Sequence, residues 1–77
     1  MEFGKQTGTV VWFNPRKGFG FIKSDDPMDT WDIFVHWKGL IMEGYKQLKD
    51  GDRVEYALQD SARGIIAVDV LILAAPK

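Results

Sequence analysis

Two short stretches constrain the fold more than anything else in the chain: Lys17-Gly18-Phe19-Gly20-Phe21-Ile22 and Ile33-Phe34-Val35-His36-Trp37. Each has the aromatic and branched residues of a strand, where successive side chains point to opposite faces. In the first, Phe19, Phe21 and Lys23 share one face, and Gly18, Gly20 and Ile22 the other. In the second, Phe34 and His36 lie opposite Ile33 and Val35. If the aromatic face were core, Lys23 and His36 would be buried with it. An unpaired buried charge is expensive, so the aromatic face is assigned to solvent. Ile22, Ile33 and Val35 then point inward and need no partners. An exposed sheet surface carrying that many rings marks a binding site. Flat rings interleaved with lysines suit unpaired nucleobases and their phosphates.

The remaining strands follow from pattern and turn chemistry. Residues 7–13 form a first strand in which Val10 and Trp12 alternate with Val11 and Phe13. Both sets are apolar, so periodicity leaves its faces open, and a bent or bulged strand would accommodate either arrangement. Asn14-Pro15-Arg16-Lys17-Gly18 is a turn, with turn formers at its corners. The second strand runs to Lys23, and Gly20 on its inner face suits tight curvature or a close backbone approach. Residues 24–31 are a polar loop with an acidic cluster, and residues 32–36 the third strand. One helical turn is expected from Trp37, with Gly39 and Gly44 discouraging anything longer. The fourth strand spans residues 53–59, with Val54, Tyr56 and Leu58 inward. The fifth spans residues 65–73, with Val68, Val70 and Ile72 facing one way and Asp69 the other. Residues 1–4 and 74–77 are expected to be flexible ends.

Five short strands without a long helix imply an all-β barrel, which hides strand edges in a small chain. Strand order alone leaves OB-type and SH3-like barrels both open. At 77 residues the chain is one domain, and a domain this small buries only roughly 60% of its unfolded surface. It has no cysteine, so no disulfide or thiolate metal site, which fits a reducing compartment. Its beginning lacks the apolar run of a signal peptide. Its longest apolar stretch, residues 65–75, is broken by Asp69 and is too short to span a membrane. A formal net charge of −1 counts against wholesale polyanion binding but allows a local basic fringe around stacking rings. A shallow salt dependence is therefore expected.

No titratable pair stands in a catalytic motif, and the single histidine, His36, has no nucleophile beside it. No catalytic residue, cofactor or small-molecule substrate is assigned. Asp25, Asp26, Asp29 and Asp32 do not have the alternating ligands and central glycine of a calcium loop. No metal site is assigned to them; they read as a solvated loop that repels phosphates.

The same residues carry a family resemblance. Lys17 to Ile22 resembles the first RNA-binding signature of the cold-shock domain, and Ile33 to Trp37 the second, with Trp12-Phe13-Asn14 upstream completing the pattern. The resemblance runs from about Lys5 to about Leu73. It implies one domain over residues 1–77, a small five-stranded antiparallel Greek-key barrel of OB-fold type. It implies binding of single-stranded RNA and DNA through Trp12, Phe13, Lys17, Phe19, Phe21, Phe34, His36, Trp37, Tyr45 and Arg63; Lys23 and Lys38 are assigned with them as cations at the edge of the rings. The implied role is a cytoplasmic, monomeric RNA chaperone and cold-shock-type regulator of transcription and translation, without a membrane partner. The alternative is a protein-interaction barrel whose aromatic face docks a partner.

The chain departs from the family pattern in places. Val11 stands where a lysine is common, Lys38 where serine is usual, Ile65 where proline follows the Arg-Gly pair, and Asp69 where asparagine is found. Trp37 replaces a phenylalanine. Trp31, in the lengthened loop, is either a loop anchor over the barrel end or an extension of the stacking surface.

Overall fold

A computed structural model of the chain describes residues 5–44 and 46–75. Its strands are β1 (Gln6–Asn14), β2 (Phe19–Ser24), β3 (Asp32–His36), β4 (Arg53–Ser61) and β5 (Gly64–Ala74), with a 3₁₀ turn at Trp37–Gly39. They close into a barrel in the order β1-β2-β3-β5-β4. All pairs are antiparallel except the short β3–β5 seam, where Phe34 and Val35 lie parallel to Ile66 and Ala67. That seam closes the barrel and removes the free edges of β3 and β5. The expectations for residues 1–4, 45 and 76–77 fall outside the described residues. Ala74, expected in a flexible end, is the last residue of β5 and pairs with Arg53. Among the described residues no helix is long and apolar enough to cross a membrane.

The two organising strands pair as their alternation requires. Phe19 lies opposite His36, Phe21 opposite Phe34 and Lys23 opposite Asp32, while Gly20 meets Val35 and Ile22 meets Ile33. Ile22, Ile33 and Val35 are fully buried, a burial that stabilises by roughly 1.5–3 kcal/mol for each side chain. Val10, Phe13, Val54, Tyr56, Ala67 and Val70 complete the barrel interior, and Leu40 and Leu48 from the long loop pack into it.

Strand β1 resolves its two-faced pattern with a bulge. Val10 pairs with Ile22 and Trp12 with Phe21, so Val11 has no partner of its own. Val10 points in, Val11 and Trp12 both stay in solvent, and Phe13 returns to the interior. The expectation that Phe13 stands at the edge of the binding face is therefore corrected: at 7% exposure it is a core side chain. Gly20 makes that possible. A Cβ there would stand 2.2 Å from the Trp12 carbonyl and 2.7 Å from Phe13 Cα. Only a glycine lets the two strands come so close.

Strand β5 corrects a second expectation. Ala67 and Val70 are buried, whereas Val68 is half-buried and Ile72 exposed. Asp69 interrupts the alternation with φ 51°, and the pairing with β4 shifts between Glu55 and Ala57. Aspartate and asparagine tolerate this left-handed conformation better than other side chains do. Val68 and Val70 thus end on different faces although they are two residues apart.

Candidate nucleic-acid interface

The outer faces of β1, β2 and β3 form one continuous ring surface. The Trp12 ring centroid lies 5.6 Å from that of Phe19 and 5.4 Å from that of Phe21. Phe34 stacks against Phe19 at 5.8 Å and meets Phe21 edge-on at 5.9 Å. His36 and Trp37 continue the surface at 5.7 Å from each other. The phenylalanines and His36 are half-buried because they pack on one another; Trp12 and Trp37 are exposed. Mutual packing of this kind holds the rings flat and fixed before any ligand arrives, which lowers the ordering cost of stacking.

Local structure places the cations around the rings. Asn14 Oδ1 accepts hydrogen bonds from the backbone N–H groups of Arg16 and Lys17, both at 3.0 Å. This Asx turn carries Lys17 to the edge of the ring surface. Gly18 has φ 77°, and its carbonyl accepts from Trp37 N–H at 2.8 Å. The Trp37 ring lies so close that a Cβ on Gly18 would meet it at 2.2 Å. That contact fixes Trp37 between the turn and β3. Lys17, Arg16 and Lys46 line a cleft of about 390 Å³ beside Trp37. Lys38 holds its ammonium 5.8 Å from the Trp37 ring centre, and Arg63 sets its guanidinium 4.9 Å from that of Phe34. His36 Nδ1 accepts a hydrogen bond from Lys38 N–H at 3.3 Å. Lys23 is exposed at the far end of the surface, across from Asp32.

Of the residues assigned from sequence, Trp12, Lys17, Phe19, Phe21, Lys23, Phe34, His36, Trp37, Lys38 and Arg63 lie on or around this one surface. Phe13 does not, and Tyr45 lies outside the described residues. Arg16 and Lys46 also line the cleft, although neither is among the residues assigned to the site from sequence. Trp31 is exposed at the start of β3 and makes no ring pair with the surface among the described residues. The acidic loop is partly committed to structure. Asp25 takes a two-pronged ion pair from Arg53, at 2.7 and 2.5 Å, and a hydrogen bond from Thr7 Oγ1 at 2.7 Å. The guanidinium first, and then the hydroxyl, hold the Asp25 carboxyl down at about 2.

Comparison with known proteins gives a consistent result. The model of the 'Cold-shock' DNA-binding domain matches residues 6–73. The chain is 44% identical over 69 residues to the Cold shock-like protein CspA of Vibrio cholerae, covering 90% of this chain and 96% of that one. It is 46% identical over 66 residues to the Cold shock-like protein CspC of Bacillus cereus, covering 86% and 97%. A Cold shock-like protein of Thermotoga maritima is 42% identical over 66 residues, covering 86% and 96%.

Proposed function

The chain belongs to the cold-shock DNA-binding domain family, and from that membership we propose that it binds single-stranded RNA and DNA by stacking unpaired bases on its ring surface. The observation that carries this reading is the continuity of Trp12, Phe19, Phe21 and Phe34, each ring within 6 Å of a neighbour, with cations on the margin. Bases offer a π-face only when unpaired, so a stacking surface selects single strands over duplexes. Lys17, Lys23, Lys38 and Arg63 supply phosphate contacts at the edges, while the net charge of −1 keeps the general attraction for polyanions low.

Such binding has a direct consequence for folded transcripts. Trapping the open form of a hairpin shifts its equilibrium by mass action and needs no nucleotide hydrolysis. The protein would thereby act as an RNA chaperone, changing the access of the transcription and translation machinery to a transcript. A cysteine-free monomer working in the cytoplasm accords with this role.

Tryptophan fluorescence tests the proposal. Adding a pyrimidine-rich single strand should quench Trp12, with an affinity more than about tenfold that for the matching duplex. Equal affinity for the duplex would overturn it. A face that docks a protein partner instead would give no quench with either oligonucleotide.

A further inference from the structure

Beside the ring surface, between the 3₁₀ turn and the β4–β5 hairpin, runs a groove of about 450 Å³. That is within the roughly 300–1,000 Å³ of small-ligand clefts. Phe34 and His36 border it on the side of the ring surface, and Ile66 and Val68 of β5 add apolar lining. Two cations line it as well, Lys38 from the turn and Arg63 from the hairpin. Apolar walls for a flat ring, with cations beside them for a phosphate, are what one further nucleotide requires.

Among the described residues one acid lines the groove, Asp69. Its position is a product of the β5 bulge: with φ 51° it leaves the strand alternation and stays exposed at the groove. An ionised carboxylate accepts hydrogen bonds and donates none. Adenine, cytosine and guanine each carry an amino group that can donate to it. Guanine presents its ring N–H and amino group side by side, so both carboxylate oxygens can be used at once. Uracil and thymine present a single N–H between two carbonyl oxygens, and those oxygens are repelled by the acid.

We propose that this groove is a nucleotide pocket that selects an amino-bearing base, guanine above all, through Asp69, with Lys38 and Arg63 holding the adjoining phosphate. The inference rests on the single-strand reading above and adds base selectivity to it.

The test compares a thymidine oligonucleotide of about twelve residues, within the site sizes of OB barrels, with the same strand carrying one central guanine. Binding is followed by tryptophan fluorescence. The protein should prefer the guanine strand by about tenfold, the discrimination of a good paired contact to a base edge. In Asp69→Asn, which keeps the side-chain shape and the tolerance for positive φ, that preference should fall to within about twofold, an amide being both donor and acceptor. The thymidine strand should bind the variant at least as tightly as the parent, because a negative charge has been removed. Thymidine binding without any guanine preference, or a preference that survives Asp69→Asn, overturns the pocket and leaves the stacking surface standing. Failure of both strands to bind overturns the pocket and the single-strand reading together.

Discussion

Val11→Lys isolates the electrostatic part of binding from the stacking part. The family pattern that the sequence resembles implies a lysine at this position, and here the site is apolar. Val11 is the unpaired residue of the β1 bulge, next to Trp12, and is 41% exposed. A lysine there keeps its ammonium in water and disturbs no core contact, so stability should change by no more than about 0.5 kcal/mol. For a domain of this size that is a melting shift of at most about 4 °C. One added phosphate contact steepens the slope of log affinity against log salt by about 0.7 for a single strand. Between about 50 and 200 mM salt, a span of about 0.6 log units, the variant's advantage should shrink by a factor of about 2.6. Fluorescence titrations of parent and variant across that range, with a thermal melt of each, measure both quantities. An unchanged slope in a well-folded variant would refute the placement of Val11 beside the bound strand. A melting loss well beyond about 4 °C would show that the position needs an apolar side chain.

Phe34→Ala removes the ring that contacts Phe19 and Phe21 and carries Arg63 on its face. Affinity for a single strand should fall by about 1–3 kcal/mol, and stability by less than the 3–5 kcal/mol of a fully buried phenylalanine; a core-sized melting loss with unaltered affinity would contradict the ring's role. Asp25 provides a pH test, because its carboxyl is held at about 2, below the usual 3.8. A depressed acid stabilises the fold in full above the ordinary carboxylate range and loses that contribution as pH falls from about 4 through about 2. With Asp25 and Arg53 side chains 44% and 39% exposed, solvent screening limits the contribution of Asp25 to about 0.2–1 kcal/mol. Melts of Asp25→Asn and parent should differ at neutral pH and converge toward pH 2, and parallel curves over that range would show that the ion pair does not stabilise the fold.

The sequence by itself determined the orientation of the ring surface. One charged residue, Lys23, in register with Phe19 and Phe21, decides which face of β2 meets water, because side-chain alternation is a local property of any strand. The same alternation, applied to Ile33 through His36, located β3 and its outward residues. The inward set of β4, Val54 and Tyr56 with Leu58 partly buried against them, was equally legible. Only the tertiary structure decided what happens where alternation breaks. The bulge at Val11 exists in the register between β1 and β2, and nothing within residues 7–13 reveals which of four apolar side chains is the extra one. Phe13 goes inward because Gly20, on another strand, leaves space for it. The bulge at Asp69 moves Val68 out of the core for the same kind of reason. The groove joins a turn that follows β3 to a hairpin far along the chain, and Asp25 meets Arg53 across 28 residues. Such pairings are set by barrel closure, through the β3–β5 seam and the packing it forces, and a one-dimensional pattern with a period of two carries no record of them.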